Sequence, residues 1–364
     1  MSETPHDFSG VNEPPSPPRE SRGPSLGRAQ FSLTQLAIAM LVVALIVGIA
    51  IPLINRGRES ARQIACGNNL KQWVIAFHLY HETHGAFPPG GTFKKGNHGG
   101  GWEGETAPGL SWKVRLVPYM EKNFWYHLVD MNAIRPPDDL GVLSDYYNVP
   151  QPTWNRSLRQ MDLSGLSCPS ETSPLIVNGW RQTNYCGNLG SQWVPSRDVS
   201  CAFRGIGGVT LRPGGSAPFG DSLDPKQFNG LFNRLGTPIT IGDVTDGTSY
   251  TIAIGEILPA CSSQPEGWTS FDGAGNAHAS TLAPLNLHVT CANSEAEARS
   301  YDSRFGSCWR RGNWTLSWGF RSRHPGLVYF GFVDGSVRGI KPSVDYELYQ
   351  QLGSRNDGAR VSLD

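Results

Sequence analysis

The chain has 364 residues, with 31 Lys+Arg balanced by 31 Asp+Glu, so it carries no formal net charge at pH 7. That balance, with no basic stripe interleaved with aromatics, argues against a nucleic-acid partner. Gly (43), Pro (27) and Trp (11) are abundant, which suits a turn-rich β domain better than a helical bundle.

The opening stretch "PHDFSGVNEPPSPPRESRGPS" is polar and Pro-rich and reads as a disordered leader. Behind it, Phe31 to Ile54 carries no formal charge, and Ser32, Thr34 and Gln35 are its clearly polar residues. As a helix this run reaches roughly 36 Å, enough to cross a hydrocarbon core of about 30 Å. Gly48-Ile49-Ala50 offers a small-x-small cleavage pattern, but the run is longer than the apolar core of a signal peptide. Arg19, Arg22 and Arg28 precede it and Arg56, Arg58 and Arg62 follow it, so the positive-inside rule gives no direction. All seven cysteines lie after the run, and none forms a C-x-x-C pair. Disulfides in an oxidising compartment fit them better than a zinc ribbon, which puts the N-terminus in the cytoplasm and the C-terminal domain outside. The odd count leaves at least one thiol unpaired, or paired with another chain.

The helical pattern continues past the apolar run. Ile64, Leu70, Trp73, Val74, Phe77 and Tyr80 recur at three- and four-residue spacing and predict an apolar stripe facing a globular head. Pro52 and Gly67 are weak points, and Gly85 with "FPPG" at Phe87–Gly90 ends the helix. His78, His81 and His84 repeat every third residue, a spacing that can bring two imidazoles to one metal; here they mark the polar flank beside Phe77 and Tyr80.

Further on, "YFGFVDGSVRGI" reads as a hairpin turned at Asp334-Gly335 in a type I′ turn. "IGDVTDGTSYTIAIGE" reads similarly, turned at Asp246-Gly247, with Thr251 to Ile254 as a buried strand. These aspartates serve turn chemistry first. The alternative is a calcium-like cation on Asp243, Asp246 or Asp334 with backbone carbonyls, although no loop has EF-hand spacing. No other metal or cofactor is expected. His324 reads as a buried histidine bonded to backbone, with a ligand or catalytic base as the alternative. G-x-S-x-G, H-E-x-x-H and G-x-x-x-x-G-K-[ST] are all absent from the sequence, so no catalysis is expected. An enzyme would need His324 gathered with carboxylates and a nucleophile in a deep pocket. Trp268, Trp309, Trp314 and Trp318 read as core, or alternatively as a stacking face for carbohydrate or another protein.

The N-terminal layout resembles the prepilin-like proteins of type IV pili and type II secretion systems. In that family a leader ends in Gly, the mature chain begins with Phe, a Glu stands fifth and a proline near the twenty-second position. Phe31, "FSLTQLAIAM" and Pro52 match, whereas Gln30 replaces the Gly and Gln35 the Glu. In the family the fifth-position carboxylate balances the new amino terminus in lipid, where an uncompensated charge costs several kcal/mol. Without cleavage at Gln30–Phe31 no buried ammonium forms, so the two substitutions together imply an unprocessed, pilin-shaped anchor.

A second resemblance covers most of the rest. "CGNNLKQWVIAFHLYHETHGAFPPG", "LSWKVRLVPYMEKNFWYHLVDMN", "LSCPSE", "TNYCGNLGS", "NGLF", "IGDVTDGTSYTIAIGE" and "SRHPGLVYFGFVDGSVRGI" fall, in order, as in the bacterial family called domain of unknown function 1559. The last contains the prepilin-associated pattern of His, nine residues, then Asp-Gly, at His324, Asp334 and Gly335. Cys66 and Cys168 both lie inside family motifs and are a candidate disulfide that would tie helix to head. Cys186 with Cys201, and two among Cys261, Cys291 and Cys308, are further candidates.

The expected fold is α+β and pilin-like: one long N-terminal helix on a mainly antiparallel sheet with long loops. The expected organisation is a leader over 1–28, a prepilin-like transmembrane helix over 29–54, its amphipathic continuation over 55–90, a β-rich exported head over 91–345 and a tail over 346–364, the family domain covering about 55–345. The expected role is a single-pass protein of the cytoplasmic membrane, a pilin-like assembly component partnered by similar subunits or secretion components. The alternative is an anchored extracytoplasmic solute- or glycan-binding protein.

Overall fold

A computed structural model of the chain describes residues 32–90, 111–120, 160–163, 165–177, 179–196, 201, 205–206, 209–210, 218–233, 236–263, 267–268, 277–359 and 361. The leader, Gln30 and Phe31 lie outside the described residues. The chain divides into two compact units, Met1–Asn55 and Arg56–Asp364.

One helix, α1 (Leu33–His84, 52 residues), supplies all of the described first unit from Leu33 onward and the opening of the second. Ser32 caps it: Ser32 N donates to Gln35 Oε1 at 3.0 Å, and Gln35 N donates to Ser32 Oγ at 3.2 Å. This reciprocal pair is a capping box, and it gives Gln35 a local task that needs no charge. The large apolar side chains from Leu33 to Ile54 are all exposed, and Pro52 sits inside the helix without ending it. The segment is long and apolar enough to cross a membrane, the pattern of a single-pass anchor or a signal sequence.

The second unit is built on a five-stranded sheet in the order β7-β3-β6-β8-β9. Two short ladders lie outside it, β1 (Ile176–Val177) with β2 (Trp180–Arg181) ahead of its first strand, and β4 (Gly205–Ile206) with β5 (Val209–Thr210) between β3 and β6 in sequence. β3 (Tyr185–Asn188) pairs antiparallel with β6 (Ile252–Glu256), β6 with β8 (Val328–Phe332), and β8 with β9 (Val337–Ile340). β7 (His278–Ala279) joins β3 in parallel. The fold is α+β. β6 is buried along its whole length, in keeping with its apolar residues Ile252 to Ile254, and its last residue, Glu256, is a buried carboxylate.

Side-chain alternation along β8 assigns the two faces. Val328, Phe330 and Phe332 point into one core with Phe320, Tyr349 and Leu352, while Tyr329 packs against the other with Trp73, Val74 and Phe77 of α1. Gly331 lies on the α1 side: a Cβ there would come within 2.3 Å of Val74 Cγ2. Gly331→Val is therefore expected to lift α1 from the sheet and cost about 1–3 kcal/mol. In a denaturation double-mutant cycle, Val74→Ala should recover part of that loss.

α1 buries Cys66, Leu70, Trp73, Val74, Ala76, Phe77 and Tyr80, but Ile64 is 62% exposed. The apolar stripe thus begins at Cys66 rather than Ile64, because the stretch before it carries the polar contacts described below. The helix ends at His84, with Gly85 at φ +72°. On the opposite face of the sheet lies α5 (Tyr346–Gly353), capped by Asp345, whose side chain accepts from Leu348 N at 2.9 Å. Residues assigned to a C-terminal tail are thus part of the core, since Tyr349 and Leu352 fill the space over β8. The remaining helices α2 (Trp112–Leu116), α3 (Glu295–Tyr301) and α4 (Trp314–Ser317) are short.

Both expected turns differ in detail. At the β8–β9 connection Gly335 has φ +86°, Asp334 is not among the positive-φ residues, and Gly335 N donates to Phe332 O at 3.0 Å. The turn is a type I turn followed by a left-handed glycine, not type I′, and it leaves room for the Asp334 side chain to accept from Ser336 N at 2.8 Å. Around Asp246-Gly247 there is no hairpin, because the residues ahead of it form a 3-10 turn, Ile241–Asp243, instead of a strand.

Candidate functional site

The second unit gathers its buried polar chemistry where α1, the loop after Leu166 and the approach to β8 meet. Cys66 of α1 and Cys168 of "LSCPSE" form a disulfide, closing a separation of 102 residues. The helix is tied to the same loop by Trp73 Nε1, which donates to Gly165 O at 2.7 Å, and by Asn69 Nδ2, which donates to Ser167 O at 2.9 Å. Cys201 pairs with Cys308 and Cys261 with Cys291, so the expected Cys186–Cys201 pair does not form. Cys186 lies inside β3, fully buried, and burial pushes its thiol up to about 12 against the opposing charge of Lys113. Cys201 has its partner in Cys308, which leaves Cys186 as a free thiol.

His324, 2% exposed, stands beside the Cys66–Cys168 bridge. Its Nδ1 is 2.7 Å from Glu59 Oε1, and Glu59 also pairs with Arg62 at 2.7 Å. Its Nε2 faces Cys168 Sγ at 3.4 Å and Glu256 Oε1 at 3.4 Å. Glu256 is 2% exposed; its Oε2 accepts from Tyr329 N at 2.8 Å, whereas its Oε1 has this long ion-pair contact and no hydrogen bond. Burial opposes a charge on His324, but the two flanking carboxylates prevail and raise its pKa above the ordinary value. For Glu59, burial pushes the other way, yet His324 and Arg62 hold its carboxyl below the ordinary range. His324 is thus buried as expected, but its bonds run to carboxylates and not to carbonyls.

Around this pair Asn184 bridges the loop to the sheet. It accepts from Cys168 N at 3.0 Å and donates to Glu171 Oε2 at 2.7 Å and Ile257 O at 3.1 Å. The recess beside them, lined by Cys168, Ser170, Glu171, Asn184 and Arg323 among others, encloses about 180 Å³ including space open to solvent. Ligand pockets run from about 300 Å³ upward. Ser170 Oγ is 3.4 Å from His324 Nδ1, the nitrogen that Glu59 holds at 2.7 Å. His324 therefore gathers with carboxylates, but the recess is small and the nearby hydroxyl has no free base.

Among the described residues, Cys66, Cys168, Glu256 and His324 form the group of three or more candidate ligands in which one ligand atom from each lies within 4.8 Å of the others. The aspartates singled out as cation candidates are engaged locally. Asp243 accepts from Thr240 N and Oγ1, both at 2.7 Å. Asp246 accepts from Asp357 N at 2.6 Å and Gly358 N at 2.9 Å, and Asp334 pairs with Arg338 at 3.3 Å. Gly247 takes φ +103°. The three histidines of α1 diverge: His81 Nε2 accepts from Ile241 N at 3.3 Å, His84 stacks on Tyr80 at 4.0 Å, and His78 lies near Gly335. Trp268, Trp314 and Trp318 are buried, as expected for core residues, and Trp309 is half-buried, so these four offer little of the alternative stacking face.

Two buried cations that sequence reasoning missed hold the irregular loops. Arg321 donates to the carbonyls of Leu287, Leu316, Ser317 and Gly319, and Arg355 donates to those of Phe228 and Pro225. His288 lies next to the first of these, its Nε2 3.3 Å from Ser322 O. Burial, helped by the Arg321 charge, pushes its pKa down from 6.5 to about 4. The folded chain therefore keeps the imidazole neutral down to about pH 4, whereas the unfolded chain protonates near 6.5, so stability is full above pH 6.5 and is lost as the pH falls towards 4. Acidification across that window is expected to remove up to about 3 kcal/mol of stability, and His288→Gln should flatten the loss in denaturant titrations at each pH.

Together these features describe a disulfide-bonded α+β unit with a buried histidine–carboxylate cluster, preceded in sequence by an apolar, exposed helical segment. The chain belongs to the family described as "Protein of unknown function (DUF1559)", which matches residues 55–347. No curated protein and no solved structure matches it.

Proposed function

We infer that this is a membrane-anchored, exported structural protein of pilin-like design, which packs through α1 against similar subunits or secretion components. The observation that carries the reading is the contrast within α1. Every large apolar side chain from Leu33 to Ile54 is exposed, while Leu70, Trp73, Val74 and Phe77 are fully buried. A row of exposed Leu, Ile and Val has no place in water but is at home in lipid or against like helices. Three disulfides support an oxidising exterior for the second unit. On this reading the chain serves assembly and not catalysis, and the disulfide that joins the two thiols beside His324 supports a structural part for them.

Mass spectrometry of the protein extracted from its native membrane, crosslinked and kept non-reduced, tests this reading. The expected result is an intact Gln30–Phe31 bond and crosslinks from α1 to other apolar N-terminal helices. A chain beginning at Phe31 would contradict the unprocessed anchor, and a chain beginning after Ala50 would contradict the anchor altogether.

A further inference from the structure

The cluster at Cys66, Cys168, Glu256 and His324 has the features of a metal centre with its sulfurs tied together. Four donor atoms, two sulfurs, one imidazole nitrogen and one carboxylate oxygen, lie within 4.8 Å of one another in a fully buried setting. A tetrahedral zinc site takes four such donors, with Zn–S distances of about 2.3 Å and Zn–N of about 2.0–2.1 Å. The histidine is already oriented for the role. Glu59 holds Nδ1 at 2.7 Å, so the Nδ1 proton faces Glu59 and Nε2 faces the sulfurs. A carboxylate on the far nitrogen is the arrangement that fixes the tautomer of zinc-bound histidines. Glu256 Oε1, buried beside Nε2, makes no hydrogen bond. A buried carboxylate oxygen held only by the long 3.4 Å contact with His324 Nε2 is under-satisfied, and a cation would complete its interactions.

We propose that Cys66, Cys168, His324 and Glu256 form a redox-gated site for a thiophilic divalent cation of the zinc type, closed while the disulfide is intact and opened by its reduction. A dithiol supplies two electrons and two protons: the S–S bond breaks, two thiols form, and the dithiol closes to its own disulfide. Metal binding then releases both thiol protons, and the Nε2 proton where His324 carries one, to solvent, leaving two thiolates, neutral His324 through Nε2 and one Glu256 oxygen on the ion. The disulfide and the metal are alternative ways of holding α1 to the loop around Cys168. The inference is independent of whether α1 assembles with other subunits.

Cobalt titration of the full chain in detergent tests the proposal, because cobalt–thiolate bonds absorb in the near ultraviolet and tetrahedral cobalt in the visible. Reduction uses a phosphine, which does not ligate the metal as a dithiol does and takes its oxygen from water as it becomes phosphine oxide. The oxidised chain should show neither band. The reduced chain should bind one cobalt with both bands, and zinc should displace it. Each of Cys66→Ser and Cys168→Ser should weaken the thiolate band. His324→Gln, which keeps every disulfide and is purified folded in the oxidised state, should weaken binding at least 100-fold. Glu59→Gln should weaken it about 10- to 100-fold with the bands unmoved, as expected for a residue that positions the ligand. A reduced chain that binds no cobalt, an oxidised chain that binds it equally, or a His324→Gln variant with wild-type affinity and spectrum would overturn the proposal.

Discussion

Replacing Cys66 and Cys168 together by serine is expected to cost the second unit about 4–5 kcal/mol, the largest effect of any substitution considered. The two residues are 102 apart in sequence, and opening a loop of that length returns about 4.7 kcal/mol of chain entropy to the unfolded state. Typical domains have only about 5–15 kcal/mol in total, so the variant should be close to unfolding at 25 °C. The cost should also be local in its consequences. Hydrogen exchange should rise first in residues 56–80 of α1 and in residues 165–171, which the bridge holds together, while β6 and β8 remain protected. Chemical denaturation of the full chain in detergent, read at Trp fluorescence, measures the total. A loss below about 1 kcal/mol would mean that packing alone fixes the helix.

Trp73→Ala is expected to follow closely, at about 3–5 kcal/mol. Trp73 is fully buried, meets Trp112 edge-to-face at 5.6 Å, and gives its indole N–H to Gly165 O. Truncation removes the largest side chain of α1 from the core and leaves that carbonyl without its donor. Ile64→Ala on the same helix is the matching control. Ile64 is 62% exposed, so its loss should change stability by less than about 0.5 kcal/mol. If the two variants behaved alike, the assignment of the buried stripe would be wrong.

The comparison between those two residues shows how far the sequence could be read. Three- and four-residue spacing located Leu70, Trp73, Val74, Phe77 and Tyr80, because a helix that packs on a sheet must repeat its apolar face. The same spacing included Ile64, since periodicity records which residues share a face and not where the partner surface stops. β6 was legible as a buried strand from its apolar run, whereas β7, two residues long, offered no pattern to read. His324 stood out through its motif, but Glu59 and Glu256 did not. The Glu59 contact spans 265 residues, and a lone Glu on a polar helix face ordinarily faces water. Arg321 and Arg355 escaped notice for the same reason, their burial being set by loop carbonyls that no local pattern announces. The pairing of Cys201 with Cys308 follows from how distant loops pack, and spacing alone does not determine that.

Protease accessibility of the second unit in intact, sealed cells is the most direct test of the account. Added protease should leave residues 1–55 behind in the membrane and remove or nick the disulfide-bonded domain without any need to lyse the cells. Complete protection until lysis, with all seven cysteines reactive as thiols, would place that domain in the cytoplasm and contradict the account.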